Sequence, residues 1–94
     1  MATFFVSICN MPIPGTSAKG QLTFTRKYLH FHRSWWQFPE IDIFINYRDI
    51  VDVQPSSHLF FFPAVDIHLV CGTVYKFSSF LERDNIIKML RNLT

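Results

Sequence analysis

The residues of this chain that could do chemistry are two histidines, two cysteines and a short serine–histidine run. His30 and His32 lie two positions apart, so on a strand they share one face and could chelate a metal ion. No Asp, Glu or Cys stands beside them at the spacing of a metal-ligand motif, and we predict no metal site. The run Ser56-Ser57-His58 lacks an adjacent carboxylate and a glycine-rich elbow. The sequence therefore favours a protein that is not an enzyme and has no cofactor.

Composition places the chain among compact globular proteins. Its 94 residues suffice for one domain, residues 1–94, because a second core needs roughly 50 to 100 more. Apolar residues make up 49% and charged residues 17%, which argues against disorder, and no window of about 18 residues is free of charge. Two cysteines, Cys9 and Cys71, are too few to stabilise a secreted miniprotein through disulfide bonds. The first residues of the chain lack the basic region of a signal peptide. We expect a cytoplasmic protein.

Basic residues are concentrated near the start of the chain. Lys19, Arg26, Lys27 and Arg33 all precede the first acidic residue, Glu40, whereas the remainder carries five basic and seven acidic residues. This asymmetry suggests a basic face that meets an anionic partner, although solvated turns also collect Lys and Arg. Four clustered cations are few for nucleic acid, and we predict no nucleic-acid binding.

Alternation of apolar and polar side chains dominates the first 78 residues and predicts short strands. In the sixth of these strands Val65, Ile67, Leu69 and Cys71 are expected to face inward, and the Gly72-Thr73 pair is expected to turn the chain. The predicted strands are residues 4–9, 21–25, 28–33, 41–47, 50–54, 65–71 and 74–78.

After the strands the period changes to that of an amphipathic helix. From Phe80 onward Ile86, Ile87, Leu90 and Leu93 recur at steps of three and four residues. Ser79 with Glu82 three positions later matches a capping box, in which hydroxyl and carboxylate each accept a backbone N–H. Seven strands followed by one C-terminal helix predict a mainly β, antiparallel sandwich or barrel whose opening or edge the helix covers.

One ordered set of residues extends across this pattern. It consists of Gly20-x-Leu22-x-Phe24-Thr25, Phe31, Ile45, Tyr47-Arg48-Asp49-Ile50 and Phe77-Ser78-Ser79-Phe80-x-x-Arg83-Asp84. In order and spacing the set resembles the GRAM domain over residues 20–90, and the closing stretch is its most specific part. The resemblance implies a pleckstrin-homology-like fold, in which two orthogonal antiparallel sheets hold seven strands and a C-terminal helix closes one end. It also implies that the apolar members pack the core, that Thr25 and Asp49 serve turns, and that Arg83-Asp84 ties the helix to the sheet, so that none of them carries chemistry.

The resemblance further implies a membrane-associated module that binds anionic phospholipids, such as phosphatidylserine or phosphoinositides, or else docks proteins. Because connections of an antiparallel meander alternate between two ends, residues 10–20 and 34–40 are expected at the same end. This brings together the predicted lipid-binding residues Lys19, Arg33, Trp35 and Trp36. Arg26 and Lys27 fall at the other end as a second basic patch. At least one tryptophan could instead pack in the core.

The alternative function is a protein-interaction or self-association module. In the run Leu59-Phe60-Phe61-Phe62-Pro63, four consecutive apolar residues cannot all point inward from a strand. We therefore interpret Phe60, Phe61 and Phe62 as a possible partner patch, and an open strand edge offers a second way to dock a partner.

Overall fold

The computed structural model describes residues 2–9, 18–33, 41–58, 61–79 and 81–93. A single 3-10 turn, Tyr47–Asp49, connects the fourth and fifth strands. The strands and the helix are β1 Ala2–Ile8, β2 Ala18–Phe24, β3 Tyr28–Arg33, β4 Ile41–Asn46, β5 Ile50–His58, β6 Phe62–Leu69, β7 Val74–Ser78 and α1 Arg83–Leu93.

The seven strands form one antiparallel sheet in the order β4-β3-β2-β1-β7-β6-β5. β1 pairs with β2 along its whole length, but with β7 only at Ser7–Ser78 and Ile8–Phe77. This short seam divides the sheet into a four-stranded half and a three-stranded half, an arrangement consistent with a pleckstrin-homology-like sandwich. The mainly β fold with one C-terminal helix is confirmed, and the two sheets implied by the resemblance are joined through β1 and β7.

The core lies between the inner faces of the two halves, with α1 packed against β5 and β6. Alternation along each strand determines which side chains enter it, because successive residues point to opposite faces. On α1, Arg83 donates to the Ser56 carbonyl and Arg91 to the Val53 carbonyl. The buried residues of the core are Val6, Ile8, Leu22, Phe24, Leu29, Phe31, Ile45, Tyr47, Ile50, Val53, Val65, Ile67, Phe77, Ile86, Ile87 and Leu90.

The start of the helix differs in detail from the predicted capping box. The Ser79 hydroxyl accepts the Glu82 N–H at 3.3 Å, as expected of a capping serine. The Ser79 N–H donates to the Pro63 carbonyl, and the Glu82 carboxylate accepts the Asn85 side-chain amide. Those partners replace the reciprocal bond of the capping box. The helix begins at Arg83 and ends at Leu93, whose side chain is exposed.

Three boundaries predicted from the sequence for the fifth and sixth strands are wrong: the end of β5 and both ends of β6. β5 continues through Pro55 to His58, and β6 begins at Phe62, so only residues 59–61 connect them. Proline is tolerated in β5 because this strand pairs only with β6 among the described strands, as expected of an edge strand. Cys71 does not face inward: the chain turns after Leu69 and leaves this cysteine exposed beside Gly72.

Candidate binding groove and outer sheet face

The predicted lipid-binding residues are only partly described. Lys19, near the start of β2, is exposed and pairs with Ser7, whereas Arg33 ends β3 and pairs with Ile41. Because Gln21 pairs with His32, both cations lie at the same end of the sheet. Alternation nevertheless sends them to opposite faces, and the buried Nε of Arg33 has no hydrogen-bond partner within the described ranges. Trp35 and Trp36 lie outside the described residues.

The second basic patch lies at the other end of the same strands. Arg26 and Lys27 form the turn between β2 and β3 and are both exposed. Three hydrogen bonds between Thr25 and Tyr28 close this turn, including one of 2.7 Å from the Thr25 hydroxyl to the Tyr28 carbonyl. Tyr47 donates its hydroxyl to the Thr25 carbonyl at 2.7 Å and so ties the turn to the 3-10 corner. The two groups of cations are thus separated by the length of the strands.

A groove of about 570 Å³ opens on the outer face of the sheet, where β7 leaves β1. Two phenylalanines line it: Phe5 is 75% exposed and Phe62 is 45% exposed. Lys19 and His32 contribute cationic and imidazole groups to the same groove. Its other lining residues are Val6, Ser7, Gly20, Gln21, Ser78 and Ser79. The groove is therefore apolar on the β1 and β6 sides and polar on the β2 and β3 side.

The edge of β1 that borders this groove presents backbone groups that pair with no other described strand. The Cys9 N–H donates to the Lys76 carbonyl at 2.8 Å, so Cys9 presents its backbone groups toward β7. In a strand, residues two positions apart direct their backbone N–H and C=O groups toward the same neighbouring strand. The backbone groups of Thr3 and Phe5 therefore point to the same side of β1 as those of Cys9. β7 ends at Ser78, opposite Ser7, and no described strand pairs with this edge at Thr3 or Phe5. Within the described part of the chain, the groove thus borders an open stretch of strand edge.

Only part of the predicted partner patch borders the groove. Phe61 is 82% exposed in the turn before β6 and does not line the groove, whereas Phe62 does. Phe60 lies outside the described residues. Phe5 was missed from the sequence, although a signal was present: adjacent Phe4 and Phe5 on one strand cannot both point inward.

A cluster of three metal-ligating side chains lies on the outer face of β3 and β4. The Nδ1 atom of His32 is 2.7 Å from Oδ1 of Asp42, and Nε2 of His30 is 2.8 Å from the same oxygen. These hydrogen bonds lower the pKa of the Asp42 carboxyl below its ordinary value. No acidic residue stands near the histidines in the sequence, but the fold brings Asp42 beside them. Asp42 is ten and twelve positions away in the sequence, and the β3–β4 register places it opposite His32.

The serine–histidine run and the two cysteines lie outside the histidine–aspartate cluster. Ser56 donates to Asp66 at 3.0 Å, and the His58 ring lies 6.5 Å from the Phe62 ring, measured between centroids. Burial raises the pKa of the Cys9 thiol, whereas hydrogen bonding to Thr73 lowers the pKa of the exposed Cys71 thiol. The serine–histidine run therefore has partners outside itself, and Cys71 is the more exposed of the two thiols.

The fold and the outer face together define a mainly β module of pleckstrin-homology-like architecture that carries an aromatic groove. No model of a known protein family matches the sequence, and no curated protein does. Among solved structures, the chain is similar to the C-terminal domain of an unknown protein from Leishmania infantum, with a TM-score of 0.81 and 19% sequence identity. The match covers 99% of this chain and 81% of that chain. At this identity the likeness supports the fold alone, and the resemblance to GRAM domains stays a prediction.

No helix in the described ranges has the length and apolar character that crossing a membrane requires.

Proposed function

We propose that this chain is a non-catalytic docking module that binds an extended segment of a partner protein along the open edge of β1. The observation that carries the proposal is the groove between Phe5 and Phe62, which borders backbone groups of β1 that no described strand pairs. An added strand satisfies such groups, and its side chains enter pockets on either side.

The groove offers the two components that strand addition needs. Backbone N–H and C=O groups of Thr3 and Phe5 supply affinity that is independent of the partner's sequence. The exposed rings of Phe5 and Phe62 supply apolar area for alternate side chains of the segment, and aromatic residues are enriched at such interfaces. Lys19 at the rim favours an acidic residue in the bound segment.

A peptide-display selection tests the docking function directly. Peptides selected on the full chain are expected to protect the Thr3 and Phe5 amides from hydrogen exchange, because the added strand accepts their hydrogen bonds. Phe62→Asp is expected to weaken peptide binding by about tenfold or more, since it places a charge in an apolar contact. Binding is measured by fluorescence anisotropy.

The matched control is Phe61→Asp, which changes a more exposed phenylalanine outside the groove and is expected to leave the affinity unchanged. Circular dichroism checks that both variants fold. Equal affinity of the Phe62→Asp and Phe61→Asp chains, or protection confined to β4 or β5, contradicts the proposal. Self-association abolished by Phe62→Asp identifies the occupant as a second copy.

We propose contact with an anionic phospholipid surface as the second candidate function. It is supported by exposed Lys19 at the end of the sheet that Arg33 shares; in the sequence, Trp35 and Trp36 follow Arg33 closely. Each cation near an anionic leaflet contributes about 1 kcal/mol, so binding through these groups is expected to be weak.

Sedimentation with phosphatidylserine or phosphoinositide vesicles separates the two candidates. If lipid binding is the function, the bound fraction rises with anionic lipid, falls with salt, and drops roughly fivefold in Lys19→Ala, in line with the loss of one cation contact. Arg26→Ala is the matched control, because it removes a cation at the opposite end. Absence of binding to every anionic vesicle rejects this candidate and leaves the peptide experiment unaffected.

A further inference from the structure

We propose that His30, His32 and Asp42 form a binding site for one divalent transition-metal ion of the zinc class. The site lies on the outer face of β3 and β4. This inference goes beyond the docking function and does not rest on it. The three residues each offer one ligand atom, and these atoms all lie within 4.8 Å of one another.

The spacing of the ligand atoms suits a small tetrahedral ion. Zinc binds imidazole nitrogen and carboxylate oxygen at about 2.0 to 2.2 Å, which separates neighbouring ligand atoms by roughly 3.4 Å. The two nitrogen-to-oxygen distances, 2.8 Å and 2.7 Å, need to open by about 0.6 to 0.7 Å to admit the ion. The two imidazole nitrogens lie within 4.8 Å of each other, and rotation of the histidine side chains adjusts this separation to the ion.

The sheet holds the three side chains in place before any ion arrives. His30 and His32 share the outer face of β3 because they lie two residues apart. Asp42 lies directly opposite His32 in a ladder of six paired positions. The His30 ring also stacks on Phe44, with the centroids 4.3 Å apart and the planes within 4°. This preorganisation lowers the conformational entropy lost on binding.

The donor set determines which ions fit. Two imidazoles with one carboxylate suit zinc and its transition-metal neighbours, whereas calcium and magnesium prefer all-oxygen sites. The side chains of His30, His32 and Asp42 are 27%, 38% and 41% exposed, so an ion can enter from solvent. Three protein ligands leave a fourth position for water or for a group of a partner molecule.

Zinc titration of the full chain tests the site. We use a Cys71→Ser background because an exposed thiol of lowered pKa can itself bind zinc. Calorimetry is expected to give one ion per chain, and nitrogen chemical shifts should change at the His30 and His32 rings. Asp42→Asn keeps the shape of the side chain but removes its charge, and we expect it to weaken zinc binding by about tenfold or more. His32→Asn is expected to abolish the one-to-one binding.

His68→Asn is the matched control, since His68 is a partly buried histidine on β6 outside the cluster. It is expected to bind zinc as the background chain does. Absence of one-to-one binding in the background chain overturns the proposal, and so do ring shifts at His58 or His68 in place of His30 and His32. Unchanged affinity in Asp42→Asn overturns it as well; this exposed substitution decides the question should His32→Asn fail to fold.

Discussion

Phe77→Ala is expected to lower the free energy of unfolding by about 3 to 5 kcal/mol, the largest effect that we predict for a single substitution. Phe77 is 1% exposed and pairs with Ile8 of β1 and Val65 of β6, so it lies at the short seam between the two halves of the sheet. Its ring centroid lies 5.5 Å from that of Phe31. Truncation therefore leaves a cavity where the halves meet.

Urea denaturation of the variant and the unchanged chain measures this loss. Because small domains are stable by only about 5 to 15 kcal/mol, the midpoint should fall sharply. Phe61→Ala makes the same chemical change at a side chain that is 82% exposed, and it should alter the stability by no more than about 0.5 kcal/mol. Equal losses at the two positions are incompatible with the packing described.

Gly20→Ala is expected to destabilise the fold by about 2 kcal/mol because the strands leave no space for one methyl group. A Cβ atom at Gly20 would lie 2.5 Å from the His32 carbonyl oxygen and 2.8 Å from Cζ of Phe31. The first is a backbone atom, and the second belongs to a buried ring, so neither can move without shifting β3. Thermal and urea unfolding both measure the effect, and reduced peptide and zinc binding should accompany it.

Gly72→Ala provides the contrast, because Gly72 has open space around it but a φ of 94°. Its expected cost of about 1 to 2 kcal/mol comes from the left-handed backbone conformation, and Gly72→Asn should cost less, since asparagine tolerates that region better. If the Gly20→Ala variant is as stable as the unchanged protein, β2 and β3 are not as close as described.

The groove and the three-residue cluster share one side chain, which links the two proposals physically. His32 lines the groove and also hydrogen-bonds Asp42. An ion held by the cluster fixes the His32 ring and adds positive charge beside Lys19, which increases the preference of the groove for acidic segments. The two sites remain separable experimentally, because Phe62 is outside the cluster and Asp42 is outside the groove lining.

The two binding candidates share Lys19 but depend on different groups beside it. Peptide docking depends on the edge of β1 together with Phe62, and all of these groups are described. Lipid contact depends on Lys19 and on a tryptophan pair outside the described residues. Alternation also turns Arg33 to the face opposite Lys19, so fewer cations converge than the loop positions alone suggested. For this reason the geometry supports docking of a partner segment better.

Local patterns determined much of the fold. Alternation at Leu22 and Phe24 and at Leu29 and Phe31 predicted inward faces that the structure confirms, because a strand's pleat relates sequence parity directly to burial. The helix followed from its period in the same way, and Ser79 marked its beginning. Local patterns failed at residues 55–63, where two prolines and a run of phenylalanines obscured the strand signal.

What only the tertiary structure decided was which strands lie side by side and in what register. The pairing of His32 with Asp42, the pairing of Gln21 with His32, and the end of β7 opposite Ser7 all join residues ten or more positions apart. Such contacts depend on the length and path of the connections, and no local periodicity encodes them. The sequence by itself therefore determined a β module with exposed aromatic residues, while its groove and its histidine–aspartate cluster exist only because particular strands are neighbours.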